Sequence, residues 1–278
     1  GDANTALGLD ALRFNTTGSS NTVSGHSSIA SNIAGNNNSA FGYYSLNSNK
    51  AGSNATAVGY GAMMYSNNQV GAFTNFNVAL GYEALRGSGT PASNTGNRNT
   101  ALGYQSLLSN TGGGNNTASG MYALLANTTG YYNTASGYGA LLSNTIGYFN
   151  TASGYLALYY NTTGFYNTAS GTNALYSNAA GNNATAIGTN AMLYANNTAT
   201  AFDNFNVAVG YEALRGSVTA ASNTGNINTA LGYQTLWSNT SGSNNSASGV
   251  QALYNNTTGS INTANGYRAL FTNTTGSS

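Results

Sequence analysis

The stretch Gly137-Tyr138-Gly139-Ala140-Leu141-Leu142-Ser143-Asn144-Thr145-Ile146-Gly147-Tyr148-Phe149-Asn150-Thr151-Ala152-Ser153-Gly154 decides the fold. With Gly137 as position 0, it sets Tyr at +1, Ala at +3, Leu at +4, Asn-Thr at +7 and +8, and Gly at +10. It closes on Asn at −4, Thr at −3 and Ala at −2 of the next marker glycine, Gly154. Working outward, the same phrase marks Gly8, Gly25, Gly42, Gly59, Gly81, Gly103, Gly120, Gly171, Gly188, Gly210, Gly232, Gly249 and Gly266. The spacings are 17 or 22 and nothing else, in the order 17, 17, 17, 22, 22, 17, 17, and then the same seven again. A unit of 129 residues, Gly8 to Ser136, therefore recurs as Gly137 to Asn265. Residues 1–20 and 259–278 also correspond, which reads as a window on a longer array.

Such double periodicity is the sign of a stacked-repeat architecture. Seventeen residues are too few for two helices, and glycine at two fixed points of each coil would cost any helix ~1 kcal/mol apiece. The reading is an all-β fold: a parallel β-solenoid of about 15 coils with 17- or 22-residue repeats, spanning 1–278 as a single array with super-repeat units at about 8–136 and 137–265. Each coil is expected to supply two strands, one around −3 to +1 and one around +3 to +8, with turns at +7 to +10 and just before −4, where Gly and Asn accept positive φ. Alternation puts −2 and 0 on the inner face and −3, −1 and +1 outside. The near-constant Ala at −2 and Gly at 0 require close backbone approach, from the opposite wall of a narrow coil or from a neighbouring chain. At ~4.8 Å per coil the stack is about 70 Å long and one super-repeat advances ~34 Å. Asn at −4 (Asn99, Asn116, Asn133, Asn150, Asn167) is placed to form an amide ladder, and Tyr at +1 an aromatic rib.

Composition excludes many chemistries. Six Lys+Arg against five Asp+Glu give a formal charge of +1, too little to hold a phosphate backbone, so nucleic acid is not an expected partner. With no Cys and one His, thiol, disulfide and zinc-finger readings fall. No apolar run reaches the ~20 residues that span a bilayer. No enzyme, cofactor or metal site is expected. Glu83 and Glu212 are equivalent residues one super-repeat apart, far beyond the ~5 to 10 Å of a glycosidase pair. Each is followed three residues later by arginine, Arg86 or Arg215, a local ion pair. His26 reads as a solvated surface histidine, and Asp2, Asp10 and Asp203 are too few for a calcium-binding solenoid.

The extra residues of the 22-residue coils fall around Tyr65 to Phe76 and Gly87 to Asn97, and again at Tyr194 to Phe205 and Gly216 to Asn226. Insertions in a solenoid leave as loops. Phe73, Phe76, Phe202 and Phe205 are apolar for such loops, which either fold over the flank or dock on a neighbouring molecule. If they dock, the super-repeat sets the period of a polymer. Thr and Ser at −3 and −1 (Thr117/Ser119, Thr134/Ser136, Thr151/Ser153, Thr168/Ser170) form a hydroxyl array of the kind ice-binding solenoids use, although −1 turns to Leu, Phe, Val or Ile in other coils. Thirteen Asn-x-Ser/Thr sequons, Asn15, Asn127, Asn161 and Asn273 among them, follow from composition alone.

The phrases Asn99 to Leu107 (Asn-Thr-Ala-Leu-Gly-Tyr-Gln-Ser-Leu), Asn206 to Leu214 and Ala184 to Met192 resemble the head repeats of YadA-like trimeric autotransporter adhesins. Similar arrays occur in phage and viral tail-fibre proteins. The resemblance covers all fifteen coils and implies a parallel β-roll on a fibrous protein of the cell surface or virion surface. The expected function is that of a structural extracellular fibre or filament, a shaft that self-associates as a homo-oligomer or polymer, a trimer among the options. The alternative is an adhesin or receptor-binding module whose Tyr rib (Tyr82, Tyr104, Tyr138, Tyr155, Tyr211, Tyr233) contacts a glycan or cell-surface receptor, with an ice-binding surface as a third reading.

Overall fold

The computed structural model describes residues 1–277. Each coil contributes one three-residue strand, positions −3 to −1, such as Thr22–Ser24 or Thr168–Ser170. The chain divides into two compact units, Gly1–Ser136 and Gly137–Ser278, at the boundary that the 129-residue period marks. The first unit carries eight such strands and the second seven, all in parallel pairing, so the fold is a β-solenoid of fifteen coils. Register follows the repeat: Thr5 pairs with Thr22 across 17 residues, and Val78 with Thr100 across 22.

The expected second strand at +3 to +8 does not form, and the first strand stops short of +1. Residues +2 and +4 of every coil have positive φ, for example Leu156 at 55° and Leu158 at 52°. This is the left-handed region, which strands do not enter. The cause is the short period. A 17-residue loop must turn sharply, and it does so with Gly154 O accepting from Ala157 N and Leu158 O from Asn161 N, two consecutive tight turns. The coil-to-coil ladder continues through the bend nonetheless: Leu156 N donates to Tyr138 O (2.9 Å), while Leu158 N donates to Ala174 O (2.9 Å). The mixed residue types at +2 fit a left-handed corner whose side chain leaves the coil.

The core is thin and made of three columns. Ala at −2 and +3 and Leu at +4 are fully buried through the middle of each unit, as with Ala152, Ala157 and Leu158. A left-handed leucine costs ~1–2 kcal/mol, and burying it returns about 1.5–3 kcal/mol, so burial wins and the conformation persists. Alanine at −2 is buried within the chain itself, so no neighbouring chain is needed to explain it. The marker glycine has a different cause again. A Cβ on Gly154 would lie 2.6 Å from the carbonyl oxygen of Gly171, the same position one coil on, and φ is +135°. The crowding comes along the stack rather than from an opposite wall. Glycine at +10 is also steric: it lacks positive φ, and a Cβ on Gly164 would meet Asn161 and the carbonyl of Gly181.

Polar columns complete the interior. The expected −4 ladder is present: Asn167 accepts at Oδ1 from Ala184 N (3.0 Å) and donates from Nδ2 to Asn150 Oδ1 (3.1 Å) and Gly181 O (2.8 Å). A second asparagine ladder runs at +7, where Asn161 Nδ2 donates to Asn144 Oδ1 (2.8 Å) and to Gly164 O (3.1 Å). These amides, all but inaccessible, satisfy backbone carbonyls at the corners that no strand partner reaches.

Candidate functional site

The tyrosines at +1 project from the end of each strand onto the surface and stack ring on ring. In the first unit Tyr43, Tyr60, Tyr82 and Tyr104 follow one another at centroid spacings of 5.4, 5.1 and 5.1 Å, with planes within 9° of parallel. In the second, Tyr138 stacks on Tyr155 (5.3 Å) and Tyr211 on Tyr233 (5.4 Å), the run broken by Thr172 and Thr189 at +1 of the coils between. All six tyrosines singled out by sequence thus belong to stacks, each 40–52% exposed. Stacking has a chemical consequence. Neighbours cover the ring faces, so the rib offers edges and a row of phenol hydroxyls. The phenol of Tyr82 titrates above its ordinary range, chiefly because the Glu83 carboxylate lies beside it. That of Tyr43 is raised by its hydrogen bond with Tyr44.

His26 occupies the +1 position of its own coil and stacks on Tyr43 at 4.9 Å. It is half-buried and its Nδ1 is buried without a partner, so it heads the rib instead of standing free in solvent. Sequence reading missed two further ribs. At +5, Tyr159 stacks on Tyr176 (5.4 Å), and Trp237, Tyr254 and Phe271 follow one another at 5.1 and 5.2 Å. At +11 and +12, Tyr148 stacks on Phe165 (4.8 Å) and Phe149 on Tyr166 (5.2 Å). For the rib at +11 and +12 the signal was there in the paired aromatics before Asn133, Asn150 and Asn167. Burial and a hydrogen bond with Tyr160 push the Tyr176 phenol up to about 12.

The long coils interrupt both asparagine ladders and repair one. The residue at −4 of the Gly59 coil is Ala55, and at −4 of the Gly188 coil Ala184, so the next asparagines, Asn77 and Asn206, have no rung to donate to. The insertions supply it: Asn77 Nδ2 donates to Asn75 Oδ1, and Asn206 Nδ2 to Asn204 Oδ1. At +7 there is no such repair. Ser66 and Ala195 stand where asparagine would, and Asn49 Oδ1 and Asn178 Oδ1, one coil before, are buried with no donor. The insertions are held by short parallel pairings, Phe73–Thr74 on Gly52–Ser53 and Phe202–Asp203 on Gly181–Asn182. The Phe73 ring lies against Gly52, where a Cβ would come within 2.5 Å of it, and Phe202 lies likewise on Gly181. These two fold over the flank. Phe76 and Phe205 face outward, each 50% exposed. Beneath the loops lie cavities of about 30 Å³, bordered by Tyr65, Phe73, Asn77 and Asn94, and about 20 Å³, bordered by Tyr194, Asn206 and Asn223. They have room for water and nothing larger.

Both expected ion pairs form. Arg86 Nη1 is 3.1 Å from Glu83 Oε1 and Arg215 Nε 3.6 Å from Glu212 Oε1. Glu212 also accepts from Gln234 (2.9 Å) and Trp237 Nε1 (3.0 Å), and the Arg215 guanidinium lies over the rings of Tyr194 and Trp237 at 4.7 and 4.9 Å. Among the described residues no three His, Cys, Asp or Glu side chains lie together as metal ligands, and no helix is long and apolar enough to cross a membrane. Sequons Asn127 and Asn161 are buried, their Nδ2 groups each making two hydrogen bonds. The outer strand face is not uniform: Thr151, Ser153, Thr168 and Ser170 give it exposed hydroxyls, whereas Phe41, Leu80, Ile187 and Leu231 give it exposed apolar groups. No family model and no curated protein matches the chain.

Proposed function

We propose that the chain is a structural, non-catalytic protein: a self-associating β-solenoid shaft of an extracellular fibre or filament, on a cell or virion surface, similar in its repeats to YadA-like adhesin heads. One observation carries this reading. Much of the buried hydrogen bonding runs between successive coils, through the strand ladder, the corner ladder and the two asparagine columns. Each coil offers the donors and acceptors that the next one needs, so the stacking surface is its own complement, and edges of this kind pair readily with another chain. Negative-stain imaging of the purified chain over a range of concentrations tests it. Filaments or side-by-side oligomers are the expected result, and fibre diffraction of them should show the ~4.8 Å coil spacing along the axis. Compact monomers at every concentration would overturn it.

The adhesive alternative rests on the half-exposed phenol row. Because the ring faces are covered, a glycan would meet hydroxyls and ring edges. Paired Tyr82→Ala and Tyr211→Ala changes that abolish binding to cells or glycans, with the solenoid intact, would favour that reading. Thermal hysteresis in solution would instead favour ice binding by the hydroxyl strands.

A further inference from the structure

We propose that the +1 tyrosine column is a site of oxidative cross-linking, where a peroxidase acting with hydrogen peroxide couples neighbouring rings into dityrosine and so ties coil to coil covalently. The column joins three properties that this modification needs. The phenols are accessible: Tyr43, Tyr60, Tyr82 and Tyr104 are 40–45% exposed, and Tyr211 and Tyr233 44% and 46%. The rings are paired in advance, with centroids 5.1–5.4 Å apart and planes within 10° of parallel. Half-exposed side chains change their torsions on the picosecond to nanosecond scale, so a small swing brings the ortho carbons of two such rings together. Disulfides are closed to this chain, which has no cysteine, and lysine-based ties are limited to a single residue, Lys50.

The step balances. Each of two phenols gives up a hydrogen atom to the oxidised peroxidase and becomes a phenoxyl radical with spin on its ortho carbons. One ortho carbon of each ring joins the other in a new C–C bond, and the two hydrogens displaced there return to the oxygens, restoring two phenols. Two electrons and two hydrogens have passed from the tyrosines to hydrogen peroxide, which leaves as two waters. Each link closes a loop of 17 or 22 residues, the spacing of the paired rings. Such a tie restricts the unfolded chain as a disulfide does.

Pre-pairing converts coupling into a local event whose partners the fold chooses. The inference stands apart from self-association, because the links lie within one chain. The experiment treats the dilute folded chain with peroxidase and hydrogen peroxide and identifies linked peptides by mass. The expected products are Tyr43–Tyr60, Tyr60–Tyr82, Tyr82–Tyr104, Tyr138–Tyr155 and Tyr211–Tyr233, each two hydrogens lighter than the sum of its parts. They should exceed the same pairs from the urea-unfolded chain by at least about tenfold, and the linked protein should unfold at higher urea. Tyr60→Phe keeps the ring and the stack but lacks the phenol. With circular dichroism unchanged, it should lose the two links to residue 60 and keep Tyr82–Tyr104 and Tyr211–Tyr233. Links scattered alike in folded and unfolded chains, links only between chains, or no dityrosine at all would overturn the proposal.

Discussion

The 17-residue and 22-residue coils solve the same packing problem with different means. Where one short coil stacks on another, each amide of the two columns has its counterpart one turn away: Asn161 bonds Asn144 and Asn167 bonds Asn150, at 2.8 and 3.1 Å. In the first long coil of each pair the −4 residue is missing, and a residue of the insertion takes its place, Asn75 for the gap at Ala55 and Asn204 for that at Ala184. The lesson is that a stacked fold tolerates an insertion only where the inserted chain restores the polar contacts that it interrupts. Where it does not, as at Asn49 and Asn178, an acceptor stays buried without a donor, at a desolvation cost of ~1–3 kcal/mol.

The sharpest way to break this comparison is to put a methyl group on each side of it. Gly154→Ala places a Cβ 2.6 Å from the Gly171 carbonyl at φ +135°. Strained backbone of this kind costs ~1–3 kcal/mol, and overpacking about as much again, so the urea midpoint should fall steeply. Gly71→Ala, inside an insertion with nothing within 4 Å of the new Cβ, should change stability by less than about 0.5 kcal/mol. Equal effects would mean that coil contact does not set the glycine column.

Amide deletion comes next in size. Asn167→Ala removes the acceptor of Ala184 N, leaving that amide buried and unpaired, and one of two donors to Gly181 O, which keeps its bond from Asn178 Nδ2 at 2.9 Å. At ~1–3 kcal/mol for the orphaned amide and ~0.5–1.5 kcal/mol for the lost bond, a loss of about 2–3 kcal/mol in a urea melt is expected. Asn204→Ala costs less, ~1–2 kcal/mol, because Asn206 Nδ2 keeps its bond to Gly225 O at 2.8 Å. A larger loss at Asn204 than at Asn167 would show that the insertion carries the column instead of patching it.

These columns explain which features could be read in advance. Constancy at −2, 0 and +4 disclosed the period, the parallel stack and the buried face, because identical environments select identical residues. The −4 ladder was visible for the same reason. Conformation within the coil was not. Leucine at +4 is a poor left-handed residue, and Leu158 at φ 52° is held there by burial, which no local propensity announces. The second strand was therefore assigned where the chain makes two corners. Glycine at +10 looked like a positive-φ turn residue, yet it is needed for the closeness of the neighbouring carbonyl. The side-chain ribs at +5 and +11 escaped because aromatics fill only part of each column. The rib at +1 was legible as a stack, but the covering of its ring faces required the distances.

Charge sharpens the contrast between the two copies of the long coil. Glu212 holds Arg215, Gln234 and Trp237, whereas Glu83 holds Arg86 and Gln105, and Leu108 stands where the second copy has Trp237. Glu212→Gln should cost ~1–2 kcal/mol and Glu83→Gln about half of that, since a partly exposed pair contributes little and a bonded, ring-flanked one more. Quenched or shifted Trp237 fluorescence in Glu212→Gln would report the loosened contact directly. Identical costs would mean that the tryptophan adds nothing.

The smallest effect separates the aromatic stack of the short coils from the charged one beside the long coil, and it emerges only in alkali. The Tyr176 phenol is raised to about 12 by burial and by its bond with Tyr160, against an ordinary value of 10.0. Between those two values the unfolded chain has released this proton and the folded chain still holds it. Stability therefore declines as pH rises through that window, is unaffected below it and levels off above it. In Tyr176→Phe the ring still stacks on Tyr159 and no phenol remains to titrate, so the variant should lose part of the alkaline decline while matching the parent chain near neutrality. Urea midpoints taken at neutral pH and at two points inside the window decide it. If parent and variant fall together, the burial of that hydroxyl is not what couples the stack to pH.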